Sequence, residues 1–341
     1  MKGRSTRGTL PWLMLGAGAV LFAKGMRQLR RIDFRNRSVI ISGGSRGLGL
    51  ELARQLAGEG ARLSLLARDP KELERAKAEL ARSGADVLTY ECDIRDEEEV
   101  SATVDDIVRR RGRIDVLIND AGIVQVAPFE NLDPEDYRES MDVHAWGPLR
   151  LVSRVVPHMQ RQKFGRIVNI SSIGGVVAVP HLLAYTMGKF ALTGLSDGLR
   201  GELAKDGIKV TTVAPGLMRT GAHVNAYFKG QYRKEFAWFS ISQANPLLST
   251  TPRHAARQII QACRFGQPRL IITFPAKALF YLNALFPSLT AMGAGIAGRL
   301  LPAPSGTAGH RLHTGWESTS GAAPSLLTRL NDREIPLNNE M

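Results

Sequence analysis

The sequence predicts an α/β fold, with a doubly wound parallel sheet in a single domain. From Ser38 onward, short runs rich in β-branched residues and leucine alternate with amphipathic helical segments. The runs are apolar throughout, which is typical of parallel strands that helices bury on both faces. Right-handed crossovers between such strands give a Rossmann-like arrangement, in which ligands bind beyond the carboxyl ends of the strands.

The predicted elements follow in order along the chain. Strands are expected at residues 38–42, 61–66, 85–90, 114–119, 165–170 and 208–213. Helices are expected at residues 48–58, 70–82, 97–111, 148–161 and 185–205, and a last helix and strand at 252–264 and 269–273. The connection 220–245 carries six aromatic residues from Tyr227 to Phe239. Connections of this length in compact domains are usually functional.

Composition fits a globular protein with a substantial core. Of the 341 residues, 44% are hydrophobic and 23% are charged. The two cysteines, Cys92 and Cys263, supply neither a disulfide framework nor paired metal ligands. We therefore expect a reducing compartment, on the cytoplasmic side, and no metal site.

The N-terminal segment is strongly basic and partly apolar. Residues 1–37 hold nine basic side chains and one acidic side chain. Such a segment favours an anionic surface, and because no nucleic-acid motif accompanies it, a membrane is the preferred partner. The apolar run 10–23 is shorter than the roughly 20 residues of a spanning helix. We favour a short anchor or interfacial helix, with a soluble helix packed on the body as the alternative; the residues after the run do not fit a signal-peptide cleavage site.

These patterns divide the chain into four parts. Residues 1–35 form the basic and apolar N-terminal segment, and residues 36–273 form the α/β domain. Residues 274–301 form an apolar helical extension that Pro287 interrupts. Residues 302–341, named the tail below, are rich in Pro, Gly, Ser and Thr, and this composition predicts disorder.

A glycine-rich loop follows the first strand, where the next helix begins. Its sequence is Ser42-Gly43-Gly44-Ser45-Arg46-Gly47-Leu48-Gly49. Glycines permit a sharp turn and a close approach to a pyrophosphate, which the N–H groups and dipole of a helix N-terminus attract. The spacing differs from the G-x-G-x-x-G of the common dinucleotide fingerprint. Its place after the first strand nevertheless favours a nucleotide site.

The second strand indicates which nucleotide. NAD-binding sheets place an acidic residue about 20 residues beyond the glycines, where it holds the ribose 2′-hydroxyl. Here the strand ends at Ala67 and Arg68, and Arg46 lies within the glycine loop. Two guanidinium groups suit a 2′-phosphate, which predicts NADP(H) in preference to NAD(H). The alternative is that both arginines are solvated surface residues.

The chemical groups lie further along the chain. Tyr185 and Lys189 are four residues apart, and so lie on one face of a helix. A nearby ammonium group is expected to lower the pKa of a tyrosine from about 10 towards working pH. Ser172 follows the predicted strand 165–170, at the end where open α/β sheets place their sites.

Together these motifs resemble the short-chain dehydrogenase/reductase family over residues 36–272. The glycine loop is similar to the family's T-G-x-x-x-G-x-G, with Ser42 in place of Thr. The resemblance implies that Ser172, Tyr185 and Lys189 are catalytic, that the last two also contact the cofactor, and that the protein is a homodimer or homotetramer. It implies further cofactor contacts at Asp93, Ile94, Asn119, Ala121, Gly122, Pro215, Gly216 and Thr220.

Two residues depart from the family pattern. Asp120 stands where the family usually has Asn, and His144 stands where a catalytic Asn helps to hold a water that links the lysine to solvent. We count His144 among the candidate catalytic residues because imidazole can relay protons. The alternative is that His144 only fills the space.

The resemblance implies hydride transfer between NADP(H) and a ketone, aldehyde or alcohol. Ser172 would stabilise the substrate oxygen, and Tyr185 would donate or remove the proton. The aromatic connection 220–245 and Leu182-Leu183 suggest a small lipophilic substrate; alternatively they pack on the domain's own core. A non-catalytic NADPH-binding redox sensor and a membrane-associated binding module remain the competing functions.

Overall fold

Seven parallel strands form the central sheet of the computed structural model, which describes Gly25 and residues 28–341. The strands are β1 (Ser38–Ser42), β2 (Arg62–Ala67), β3 (Val87–Glu91), β4 (Val116–Asn119), β5 (Gly165–Ile170), β6 (Ile208–Pro215) and β7 (Arg269–Ile272). Their order across the sheet is β7-β6-β5-β4-β1-β2-β3, with every neighbouring pair parallel. This confirms the predicted doubly wound, Rossmann-like fold. The order reverses between β1 and β4, where such sheets open a ligand crevice.

Helices cover both faces of the sheet. They are α1 (Gly47–Gly58), α2 (Pro70–Arg82), α3 (Glu97–Arg111), α4 (Pro134–Met141), α5 (Gly147–Gln162), α6 (Leu183–Glu202), α7 (Tyr232–Ala244), α8 (Pro252–Arg264), α9 (Phe274–Leu285), α10 (Pro287–Leu300), α11 (Arg329–Asp332) and α12 (Glu334–Leu337). Apolar residues of α1, α2 and α8 pack on one face, and those of α3 and α5 pack on the other. The uniformly apolar strands are therefore buried from both sides, which is why they lack alternation.

Packing of the core begins a few residues before the predicted boundary at residue 35. Ile32 and Phe34 are buried in the core beside α1 and α8, and the Ile32 N–H donates to the Arg264 carbonyl oxygen at 3.1 Å. The body of the protein therefore includes Ile32 and Phe34, because these two apolar side chains of a basic stretch are buried in its core. The apolar run 10–23 lies outside the described residues. Among the helices that the structure describes, none is long and apolar enough to cross a bilayer.

The disorder predicted for the tail is not what the structure shows. Short helices, including α11 and α12, and a two-residue strand form there, and Asn331, Asn338 and Glu340 are buried. Composition predicts disorder because the tail has few apolar residues. Its amide and carboxylate side chains instead hydrogen-bond to residues of the body, so polar contacts order it.

The aromatic connection is largely folded on itself. Phe228, Phe236 and Phe239 form a separate buried cluster that includes Ala323 of the tail, and Trp238 packs against this cluster. The prediction that these aromatic residues line a substrate pocket is therefore wrong for most of them. Tyr227 is the aromatic residue of the run that reaches the cavity described below.

Candidate active site

A cavity of about 820 Å³ opens at the carboxyl ends of the central strands. It lies where the change of strand order predicts a ligand crevice. Its walls bring together most of the predicted site residues: Gly43, Ser45, Arg46, Gly47, Leu48, Arg68, Asp93, Ile94, Ala121, Gly122, His144, Ser172, Tyr185, Lys189, Pro215, Gly216 and Thr220. One continuous space thus connects the glycine loop with the candidate chemical groups.

Two predicted cofactor residues lie behind the wall. A side chain at Gly49 would place its β-carbon 2.1 Å from the Gly43 carbonyl oxygen, so glycine there allows α1 to approach the loop. Asn119 is buried in the sheet, where its Nδ2 donates to Asn169 Oδ1 of the neighbouring strand at 2.8 Å. Both residues shape the site without facing the cavity.

The glycine loop has the geometry of an anion cradle. Gly43 and Gly47 adopt left-handed backbone angles, with φ of +73° and +58°, which favour glycine. A β-carbon on Gly43 would lie 2.8 Å from the backbone of Ala121. The loop therefore leads directly into the first turn of α1, an arrangement that fits a pyrophosphate.

The cationic side chains around the loop differ in their exposure and in their hydrogen-bond partners. The Arg46 guanidinium donates to Glu72 Oε1 at 2.8 Å, and Ser45 Oγ donates to the other oxygen of that carboxylate at 2.8 Å. Arg68 is exposed on the cavity rim beside Lys71. Arg68 and Lys71 are therefore more exposed at this end of the cavity than Arg46, which Glu72 holds.

The end of β5 and the start of α6 place the chemical groups. Ser172 Oγ accepts the Gly174 N–H at 3.0 Å and also hydrogen-bonds to the Tyr185 hydroxyl. One turn further along α6, Lys189 Nζ lies 5.7 Å from the centroid of the Tyr185 ring. Lys189 Nζ donates to the Ile170 carbonyl oxygen at 2.9 Å, which fixes its direction. The predicted trio is thus assembled on one wall.

The expected lowering of the Tyr185 pKa is not found in this structure. Burial raises the pKa of Tyr185 to about 12, the hydrogen bond from Ser172 opposes this rise, and the charge of Asp120 adds to it. Tyr185 is consequently a neutral phenol at working pH. That is the form which can give a proton to a carbonyl oxygen.

His144 is buried with both ring nitrogens engaged. It lies in a π-helical stretch, Asp142–Trp146, between α4 and α5. Its Nε2 accepts the Ile123 N–H at 3.2 Å, and its Nδ1 lies 3.2 Å from Ser140 Oγ. Because Ser140 Oγ donates its proton to the Ala184 carbonyl oxygen at 2.6 Å, His144 Nδ1 must be the donor to Ser140. This fixes one neutral tautomer.

The surroundings keep His144 uncharged. Burial, followed by the charge of Lys189, holds the pKa of His144 well below its usual value. The ring also meets the Tyr185 ring edge-on, with centroids 5.3 Å apart. A proton on Nε2 would face the Ile123 N–H, so the geometry favours a positioning role for His144 over a proton relay.

A second departure from the family pattern, Asp120, lies beside the chemical groups. Its carboxylate accepts the Gly49 N–H and interacts with the charge of Lys189. Burial raises the pKa of Asp120, and burial lowers that of Lys189 while Asp120 opposes the lowering. The two side chains therefore form a buried pair in which each controls the charge of the other.

Sequence reasoning missed several residues of the cavity wall. Glu340, Thr314 and Trp316 of the tail contribute to it, and Glu72 on α2 holds Arg46. Asp120 carried a signal, as the acidic residue in an amide position. The tail residues carried none, because their contacts depend on how a distant segment folds back.

Comparison with known proteins identifies the family of the chain. The family described as short chain dehydrogenase matches residues 37–228. Dehydrogenase/reductase SDR family member 7B of Bos taurus is 31% identical over 288 residues, covering 82% of this chain and 87% of the relative. A fatty acyl-CoA reductase of Acinetobacter baylyi is 29% identical over 290 residues, covering 84% and 93%.

Solved structures agree on the fold. L-sorbose reductase from Gluconobacter frateurii, in complex with NADPH and L-sorbose, superposes with a TM-score of 0.64 at 26% identity, covering 71% of this chain and 97% of that one. An NAD⁺-bound xylitol dehydrogenase gives a TM-score of 0.62 at 25% identity, covering 71% and 99%. The chain belongs to the short-chain dehydrogenase/reductase family and is an NAD(P)-dependent oxidoreductase that acts on CH–OH and carbonyl groups.

Proposed function

We propose that this protein is an NADPH-preferring reductase of lipophilic carbonyl compounds. The observation that carries the proposal is the single cavity that joins the glycine loop to Ser172, Tyr185 and Lys189. In it, the nicotinamide cofactor would supply the hydride. The loop Gly43–Gly49 would hold the pyrophosphate, and Asp93 and Ile94 would lie near the adenine.

The chain's own residues then carry the proton chemistry. Ser172 donates a hydrogen bond to the substrate oxygen and stabilises the negative charge that develops there. Tyr185, as a neutral phenol, gives its proton to that oxygen. Lys189 lies one turn away, and its positive charge stabilises the Tyr185 phenolate that remains after the proton transfer. Hydrogen bonds with Ile123 and Ser140 hold His144 in place, with its ring against the Tyr185 ring.

NADPH preference rests on the end of β2. Ala67 and the exposed Arg68 occupy the place where an acidic residue would favour NAD, and Lys71 lies beside them on the cavity wall. Arg46 contributes less than its sequence position suggests, because Glu72 neutralises it.

A lipophilic substrate is supported by the wall beyond the polar groups. Val124, Met218, Val224, Tyr227 and Trp316 line the cavity. The similarity to a fatty acyl-CoA reductase points to the same class of compound. Burial of this apolar surface against an apolar ligand would contribute roughly 25 cal/mol per Å² to the free energy of binding.

A carbonyl panel tests this proposal. The purified protein would be assayed for NADPH and NADH oxidation with aldehydes of increasing chain length and with matched sugars. We expect kcat/KM to rise with chain length and to be higher with NADPH. A sugar as the best substrate would overturn the lipophilic assignment, and equal use of NADH would overturn the cofactor preference.

We also propose contact with a membrane surface through α9 and α10. These helices expose large apolar side chains, among them Phe274 and Leu300, each 83% exposed, and Leu285, 70% exposed. The basic residues near the N-terminus would add attraction of about 1 kcal/mol each at an anionic surface.

Fractionation tests the membrane contact. The full chain would be compared with a variant lacking residues 1–27, which leaves the buried Ile32 and Phe34 in place. We expect the full chain to sediment with membranes. Recovery of the full chain wholly in the supernatant at low salt would overturn the proposal, and release by high salt alone would exclude an inserted anchor.

A further inference from the structure

The end of the tail lies directly against the glycine loop. The Gly47 N–H donates to the Asn338 carbonyl oxygen at 2.8 Å, and Asn339 Nδ2 donates to the Ser45 carbonyl oxygen at 2.8 Å. Glu340 Oε2 lies 3.4 Å from Arg46 Nε. Residues 337–340, named the tail end below, therefore occupy the mouth of the dinucleotide site.

Further polar contacts hold the tail end from both sides. Arg54 donates to the Leu337 carbonyl oxygen at 2.8 Å, and Arg75 Nε donates to Asn339 Oδ1 at 2.5 Å. Asn225 Nδ2 donates to Glu340 Oε2 at 2.7 Å. Asn338 and Glu340 are each only 2% exposed. Residues 338–340 are therefore buried against the body of the protein.

The groups that the tail end uses are those that the site offers to a cofactor. The first N–H groups of α1 suit a pyrophosphate, and a guanidinium suits a phosphate ester. Glu340 Oε1 lies 2.8 Å from where a β-carbon on Gly47 would be, so a carboxylate already touches the loop. The carbonyl oxygen of Asn338 and the carboxyl group of Glu340 therefore occupy donors that an incoming pyrophosphate would meet.

We propose that the dinucleotide site has a second ligand, the chain's own tail end, which binds in competition with the cofactor. The inference rests on the proposed function, since it takes NADP(H) as the first ligand. Cofactor binding requires Asn338 to release the Gly47 N–H and Glu340 to leave Arg46. The apparent dissociation constant of the cofactor is then the intrinsic constant divided by the fraction of molecules whose tail end is undocked.

The docked state is sensitive to pH. Burial raises the pKa of Glu340 to about 7; Arg46 and the hydrogen bond from Asn225 oppose this rise, and the charges of Glu72 and Asp120 add to it. A carboxyl group with a raised pKa binds its proton more tightly when docked, so docking is strongest below the free pKa of about 4.5 and weakens as pH rises to about 7. The affinity for the cofactor should therefore increase as pH rises from about 4.5 to about 7.

Isothermal titration with NADP⁺ tests the competition without using activity. The full chain would be compared with a chain that ends at Pro336 and, as a matched control in the tail, with Leu326→Ala, whose side chain is 86% exposed. We expect the shortened chain to bind about tenfold more tightly or better, and the control to match the full chain. The advantage should shrink as pH rises from 5.5 to 7.5, and Glu340→Gln in the full chain should abolish that pH dependence.

Two further arms keep the proposal falsifiable. Asn339→Ala removes the side-chain contacts to Ser45 and Glu72 without shortening the chain, and it should also tighten binding. Hydrogen exchange at residues 337–340 of the full chain should accelerate on addition of NADP⁺. Equal affinity of the full and shortened chains, or weaker binding by the shortened chain, would overturn the competition while leaving the cofactor assignment intact. Absence of NADP⁺ binding in every variant would instead overturn the proposed function.

Discussion

Replacing His144 by Ala separates a positioning role from a proton relay. The change removes an acceptor from the Ile123 N–H and a donor from Ser140 Oγ, both at 3.2 Å, and the edge-on contact with the Tyr185 ring. Leaving a buried N–H unpaired costs about 1–3 kcal/mol, and the cavity left by the ring adds to this. We expect the free energy of unfolding at pH 7.5 to fall by about 3–5 kcal/mol.

The same variant has a predictable pH dependence. The pKa of His144 is depressed in the folded protein, so the neutral ring stabilises the fold above the unfolded pKa of about 6.5, and this contribution is lost as pH falls below it. Between pH 7.5 and 5.5 the loss is about 1.4 kcal/mol for one such group. The stability difference between wild type and His144→Ala should therefore shrink by about that amount.

Urea unfolding at the two pH values measures both effects. His254→Ala, at an exposed histidine, is the matched control and should change neither value. A stability difference that stays constant or grows towards pH 5.5 would contradict a neutral, buried His144. His144→Asn should leave the pH dependence of kcat/KM unchanged, and the loss of an ionisation from that pH dependence would restore the proton-relay interpretation.

Two other substitutions test the cofactor end and the lysine. Arg68→Asp should lower the ratio of kcat/KM for NADPH to that for NADH by about tenfold or more, because a charge-assisted hydrogen bond is lost. The control is Arg82→Asp, at an exposed residue at the end of α2. An unchanged ratio for Arg68→Asp would remove that residue from the 2′-phosphate site. Asp120→Asn should move the alkaline limb of the kcat/KM profile to lower pH, because Asp120 raises the pKa of Tyr185 and supports the charge of Lys189. A limb that moves upward or not at all would show that the pair does not govern the proton donor.

Much of the fold could be predicted because its signals are local. Strands built on consecutive apolar residues, such as Val39–Ile41 and Val116–Ile118, reveal a sheet covered on both faces. The glycine spacing from Gly43 to Gly49 and the four-residue step from Tyr185 to Lys189 carry the geometry of the cavity wall in the sequence itself. Each of these patterns depends on neighbours along the chain.

The remainder depends on contacts between distant segments. Glu340 reaches Arg46 only after the tail folds back, and Phe236 joins a cluster with Ala323 rather than the cavity. The pKa of Tyr185 is set by burial, which the helical spacing to Lys189 does not reveal. The role of His144 likewise depends on Ser140 and Ala184, whose hydrogen bond fixes the tautomer.

The most direct test of the central claim is NADPH oxidation by wild type and Tyr185→Phe, with the best carbonyl substrate of the panel. The variant loses only the phenol proton, so NADP⁺ affinity measured by titration should stay within about twofold. Turnover should fall by about 10²–10⁴-fold, the usual contribution of a general acid. Turnover within a few-fold of wild type, with cofactor binding intact, would show that Tyr185 is not the proton donor and would contradict the mechanism.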